Sequence, residues 1–240
     1  MWLSFLQIVV TLSPNIKGYE NYKTSPFHPA IHNMGNVGLL GKLHANCADL
    51  ATEMIDKLAY NGRNMRCEVA QGIASIAKKE TSILEVGSGV GTLTRELYNV
   101  GFKNILAVDT SNEMLDIARS TLPEINFTKI NGAEIEFEAD LAIVSMVMHE
   151  MPKSAHIKMI TNLLRGVKKK EGEIWIVDID PSYKPSCAML SGEPYVENYL
   201  CQIDKTLNIM SKRMKFKLDT FAIIPDHVRG WVIRTKNEQS

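Results

Sequence analysis

The stretch that most constrains this chain is Ile83 to Leu97, which reads ILEVGSGVGTLTREL. Ile83 to Val86 is a short apolar run with the length and β-branched content of a buried strand. Glycines follow at alternate positions, Gly87, Gly89 and Gly91; Leu93 and Leu97 then open an amphipathic helix with Thr92 as its candidate cap. Strand, glycine turn and helix are the first half of a βαβ unit, and in open α/β sheets such a turn borders the ligand crevice. Glycine suits the turn because it accepts positive φ and lets a ligand touch bare backbone. The helix start adds unpaired N–H groups that favour a carboxylate or phosphate.

The spacing separates two ligand classes. A dinucleotide fingerprint, G-x-G-x-x-G, would place its third glycine where Thr92 stands, which disfavours an NAD-dependent enzyme. Here the third glycine is Gly91, and Glu85 precedes the first by two positions. A second apolar strand, Asn104 to Val108, ends at Asp109, whose carboxylate can accept both ribose hydroxyls of a nucleoside. The E-x-G-x-G-x-G pattern with this strand-end acid resembles the class I S-adenosylmethionine-dependent methyltransferases, over roughly residues 80 to 235. The resemblance implies an α/β fold: a Rossmann-like seven-stranded sheet with an antiparallel last hairpin, the last strand inserted beside the fifth. It implies S-adenosyl-L-methionine as cofactor, with Glu85, Gly87, Gly89 and Gly91 around the methionine part, Asp109 on the ribose, and Thr110 and Met114 flanking the adenine. Many relatives carry Asp-Ala after the third strand, where the Asp meets the adenine amino group. This chain has Gly132 and Ala133 there, which shifts that contact towards Asn131 or Glu134.

Composition excludes several classes. The chain has 240 residues, 45% hydrophobic and 22% charged, as expected for one globular domain of generous size. Zero net charge leaves no electrostatic footprint for a nucleic-acid backbone, and the basic runs Lys168 to Lys170 and Lys212 to Lys215 read as solvated faces. Cys47, Cys67, Cys187 and Cys201 form no C-x-x-C pair, which argues against a zinc site and, with the glycine loop, for reduced thiols in a cytoplasmic setting. His28 and His32 are four apart, but Pro29 between them spoils a helical metal pair, so no metal is expected.

Trp2 to Leu12 is apolar but lacks a basic start and a cleavage site, and it is too short to span a bilayer, so it reads as an element packed on the domain. Residues 13 to 37 are rich in Pro, Asn, Gly and aromatic residues, which suggests an ordered lid with Tyr19, Tyr22, His28 and His32 as substrate contacts. A helix is expected from Gly38, with Leu39, Leu43, Cys47, Leu50, Met54 and Leu58 on its apolar face, broken at Asn61-Gly62. A second helix runs to about Lys79, so residues 1–80 make a lid and helical cap and residues 81–240 the methyltransferase core.

Further on, Thr110 and Glu113 are spaced as a capping box for a helix with Met114, Ile117 and Ala118. Ile125 to Ile130, Ala139 to Val147 and Glu173 to Ile179 are strand-like, the second a near-continuous apolar run suited to a central position. Pro152 starts a helix with Ile157, Ile160, Leu164 and Val167 on one face. Pro194 opens another with Val196, Leu200, Ile203, Leu207 and Met210, and Phe216 to Ile224 and Val228 to Arg234 read as a closing hairpin.

Methyl transfer needs a nucleophile held in line with an activated methyl group. A proton-bearing nucleophile also needs a base, and His149, just past the central strand, is the candidate catalytic residue. It could equally position ligands without taking a proton. Asp178 and Asp180 end the fifth strand, where one could meet a cationic substrate or cap the turn. Tyr195 and Tyr199 stand four apart on the inserted helix as possible walls of a substrate pocket. The reading that fits best is methylation of O, N or S on a small molecule. Action on RNA or a protein side chain would favour a basic surface, and a non-catalytic relative would have a damaged glycine loop.

Overall fold

The computed structural model describes residues 38–168 and 172–235. The apolar start of the chain and the expected lid, with Tyr19, Tyr22, His28 and His32, lie outside the described residues. Two helices come first, α1 (Gly38–Leu58) and α2 (Met65–Ile76). The sheet then begins: β1 (Ile83–Val86), α3 (Thr92–Asn99), β2 (Ile105–Asp109), α4 (Asn112–Thr121), β3 (Asn126–Lys129) and β4 (Leu141–Ser145). A 3-10 turn at Met148–Glu150 leads to α5 (Lys153–Gly166) and β5 (Glu173–Ile179). The chain closes with α6 (Cys187–Gly192), α7 (Val196–Met214), β6 (Lys217–Ile224) and β7 (Val228–Arg234). α6 is too short and too poor in periodicity to stand out from the sequence.

The seven strands are ordered β3-β2-β1-β4-β5-β7-β6. β1 to β5 run parallel, and β7 enters antiparallel between β5 and β6. The order reverses at β1, where β2 lies on one side and β4 on the other. A crevice opens at the carboxyl ends of the strands at such a switch point.

Both faces of the sheet are covered, which explains the unbroken apolar strands. Alternation sends Leu84, Val86, Ala142 and Val144 to the side of α5 and α7. Ile83, Ala107, Leu141 and Ile143 go to the side of α2, α3 and α4. Glu85 shares the second face, where the hydroxyl of Thr94 on α3 donates to its carboxylate at 2.6 Å. At the opposite edge, Ser82 donates to Asp140 from backbone and hydroxyl at 2.9 and 2.7 Å, joining the start of β1 to that of β4.

Several expectations change. α1 turns its small face inward: Ala45 is 3% exposed and packs with Val90 and Met114, whereas Leu39 and Leu58 are 85% and 78% exposed. Contact with the glycine loop selects the face that lets the backbone approach closely, and the leucine stripe lies outward. On α5 the buried set is Ala155, His156, Met159, Ile160 and Leu163, with Ile157 exposed, because the helix lies over β4 and β5 on that side. The cap of α4 is Ser111, whose hydroxyl accepts the Met114 N–H at 3.2 Å, and not Thr110. β2 ends at Asp109, as expected, and the helix starts one residue later than the capping-box spacing implies. Thr92 is likewise not a cap; Gly91 holds that place in a left-handed conformation, φ 81°.

Candidate active site

A crevice of about 360 Å³ lies at the carboxyl edge of the sheet, between the glycine loop, the ends of β2 and β4, and α1. Glu85, Gly87, Gly89, Asp109, Thr110, Met114 and His149 all line it. The fold therefore brings together residues that lie 64 positions apart, from 85 to 149.

The loop geometry explains the glycines separately. Gly87 has φ +74°, and a Cβ there would sit 2.2 Å from Val147 Cγ2, so no side chain fits. Gly89 has φ +54° and nothing within 4 Å of a Cβ position; it keeps open the space beside the crevice. Gly91 serves packing, since its Cβ would approach Phe127 at 3.1 Å and Ala118 at 3.4 Å. It is not among the crevice-lining residues.

Asp109 organises the loop as well as facing the crevice. Its Oδ2 accepts the Gly89 N–H at 2.8 Å and its Oδ1 accepts the Ser111 N–H at 2.9 Å. Glu85 is 2% exposed, and burial pushes its carboxyl up to about 7, against the Thr94 hydrogen bond and the charge of Arg66. Beside the glycine loop, Ser88 is 6% exposed and its hydroxyl has no hydrogen-bond partner among the described residues. A buried hydroxyl without a partner costs about 1–3 kcal/mol, so this atom marks a place for a polar ligand group.

Sequence reasoning did not single out Ser88 or Arg66. Arg66 comes from α2 and lines the crevice with Glu85. Burial lowers its pKa from the ordinary value, opposed by Asp56, Tyr60 and Glu85, yet an arginine stays charged under such shifts. No local motif marks an arginine some twenty residues before a glycine loop; its place depends on how α2 docks.

The glycine at position 132 has a physical reason. A Cβ on Gly132 would lie 2.2 Å from Val86 Cγ1, so the aspartate of many relatives has no room here. Ala133 is buried and donates its N–H to Asn131 Oδ1 at 3.0 Å. Ala133 does not line the crevice; Asn131 and Gly132 do.

At the other end the chain leaves β4 through Met146, whose φ of 56° is strained for a large side chain and costs of order 1–3 kcal/mol. The following turn presents His149, 6% exposed, with Nδ1 2.7 Å from Asp178 Oδ1. Asp178 is fully buried and its Oδ2 also accepts the Met148 N–H at 2.7 Å. Burial pulls the imidazole down, but Asp178, aided by Glu150 and Glu193, outweighs it and raises the pKa to about 9. Of the two acids that end β5, Asp178 thus holds His149, and Asp180 pairs with Arg229 at 2.9 Å.

Tyr195 and Tyr199 do not wall the crevice. Both are buried, and Tyr199 donates its hydroxyl to the Ile179 carbonyl at 2.8 Å while its ring meets His149 and His156 edge-on. Tyr195 is the cap residue of α7, and Tyr199, one turn on, packs in the core against the sheet. Among the described residues, His149, Glu150 and Glu193 present donor atoms within 4.8 Å of one another. No helix among the described residues is long and apolar enough to cross a membrane.

Residues 83–181 match the model of a family described as a methyltransferase domain. An uncharacterized methyltransferase-like protein of Schizosaccharomyces pombe is 32% identical over 100 residues, 40% of this chain and 39% of that one. The match thus spans about two fifths of the length of that curated relative. A TehB-like SAM-dependent methyltransferase from Corynebacterium glutamicum superimposes with a TM-score of 0.59 at 17% identity, covering 81% of this chain and 99% of its own. The plantazolicin methyltransferase BpumL, in complex with SAH, gives 0.58 at 14% identity and covers 86% and 98%. At such identities the solved structures show the fold, and the glycine loop and Asp109 fall inside the matched family region. Residues 83–181 are thus similar to a methyltransferase domain, and the chain has the seven-stranded fold of the S-adenosylmethionine-dependent methyltransferases on which it superimposes.

Proposed function

We propose that this chain transfers the methyl group of S-adenosyl-L-methionine to an O, N or S atom of a small molecule. The observation that carries the reading is the crevice itself. Its glycine loop, the carboxylate of Asp109 and the partnerless hydroxyl of Ser88 converge on a space that suits a nucleoside bearing an amino-acid tail. The cofactor supplies an activated methyl group; the residues supply binding and alignment. Asp109 accepts from the ribose hydroxyls, and Thr110 and Met114 flank the base, with Asn131 taking the polar contact that Gly132 cannot make. Glu85, Arg66 and Ser88 hold the charged and polar groups of the methionine end. His149, locked by Asp178, orients the acceptor. Zero net charge favours a small acceptor over a nucleic-acid backbone. The SAH named in the BpumL structure supports the same cofactor here.

Calorimetry with S-adenosylhomocysteine tests this reading. The wild-type chain should bind it, and Asp109→Ala should weaken binding by about tenfold or more, the worth of one or two hydrogen bonds to a charged acceptor. Binding of NAD in its place would sink the assignment.

A further inference from the structure

The turn that presents His149 is held from a side that no sequence pattern marks. The chain leaves β4 through Met146 at φ 56°, and the 3-10 turn Met148–Glu150 then carries His149 to the crevice. A strained approach of this kind persists only where its surroundings over-determine it. Within the turn, the backbone of Met148 is gripped at both polar groups. Its N–H donates to Asp178 Oδ2 at 2.7 Å, and its carbonyl lies 2.6 Å from Nε2 of His156. The Met151 N–H reaches the same carbonyl at 3.2 Å.

His156 stands in the first turn of α5 and is buried on its inner face. A carbonyl can only accept, so Nε2 of His156 carries a proton. Burial pulls this imidazole below its ordinary pKa and the charge of His149 adds to that, against the backbone of Met148 and Met151 and the charge of Asp178. The ring is therefore neutral at neutral pH, and its one N–H is directed at Met148. Tyr199 of α7 completes the clamp. Its ring meets those of His149 and His156 edge-on, with centroids 6.3 and 6.1 Å away, and its hydroxyl is fixed on the Ile179 carbonyl. Side chains from β5, α5 and α7 thus converge on Met148 and His149.

We propose that His156 is a positioning residue: by donating to the Met148 carbonyl it fixes the turn that sets the His149 imidazole against Asp178. The proposal rests on the methyl-transfer reading above, in which His149 orients the acceptor. A reacting group must be held by neighbours that are themselves locked by packing and hydrogen bonds. Without His156 the Met148 carbonyl keeps only the longer Met151 contact, the turn loosens, and His149 Nδ1 leaves Asp178 Oδ1, 2.7 Å away in the intact site. Burial alone would lower the His149 pKa, and Asp178 with Glu150 and Glu193 raises it to about 9. Lost alignment is therefore readable as a fall in that pKa.

The test is NMR of the full chain carrying isotope-labelled histidine, with S-adenosylhomocysteine calorimetry on the same samples. The wild type should show His156 neutral, with its proton on Nε2, and His149 titrating near 9. In His156→Met, which removes the donor and leaves an adaptable apolar side chain, the His149 pKa should fall towards the ordinary 6.5. His156→Gln, whose amide can still donate, should keep the raised value. S-adenosylhomocysteine affinity should stay close to wild type in both, since His156 does not line the crevice. A wild-type His156 with its proton on Nδ1 would overturn the proposal even if neither variant folds. An unchanged His149 pKa in folded His156→Met would overturn it too, as would equal falls in the two variants. Those results would leave the transferase reading intact. Loss of S-adenosylhomocysteine binding in the wild type would overturn the transferase reading by itself.

Discussion

Single atoms decide the cofactor end of this site. Gly132 stands against Val86 with no room for a Cβ, so an aspartate there should harm the chain. Gly132→Asp is expected to lower stability by about 1–3 kcal/mol, read as the shift of a thermal or urea midpoint, without tighter cofactor binding. Glu85 gives a pH signature with a definite sign. Its folded pKa of about 7 lies above the ordinary value of 4.5, so the fold favours the protonated acid. Its contribution to stability is fully present below about 4.5 and is lost as pH rises through about 7. Glu85→Gln keeps an acceptor for Thr94 and should flatten that part of the stability profile. An unchanged slope between those pH values in the variant would contradict the buried-acid account. His149→Ala should cost about 10²-fold in turnover through lost alignment, with S-adenosylhomocysteine affinity close to wild type.

Among elements, α1 is the one whose placement matters most for the site. It reaches the glycine loop through Ala45 against Val90 and Met114, and Asp49 accepts from Thr92 at 3.1 Å and from Arg95 at 3.2 Å. Gly38 at its start donates to Glu113 at 2.7 Å, so the helix is tied to both α3 and α4. Ala45→Leu should overpack this contact, costing about 1–3 kcal/mol and weakening cofactor binding, as calorimetry and a melt together would reveal. The leucine stripe misled because periodicity reports that a helix has an apolar side, not which side the neighbouring element can approach. On α4 the signal was stronger: Thr110 and Glu113, at capping-box spacing, announced a helix start, and only the register of the cap shifted, to Ser111.

For the molecule as a whole, the sheet depends on its strand starts as well as its core. Asp140 joins the start of β4 to Ser82 and Lys168; burial raises its pKa, but these partners win and hold it at about 2. Its stabilising contribution is therefore present above about 3.8 and is lost as pH falls through about 2. Wild type and Asp140→Asn should differ in urea midpoint at neutral pH and converge in strong acid. The sequence by itself determined the order of elements, the glycine loop and the acid at position 109. Each of those rests on contacts within a few residues: apolar alternation, positive φ, and a carboxylate at a strand end. The tertiary structure alone decided the rest. Val86 closes on Gly132, Asp178 meets His149 across adjacent strands, and Arg66 arrives from α2. Those contacts follow from the packing of helices on a twisted sheet. No pattern of neighbouring residues encodes a distance between elements that meet only after the chain has folded.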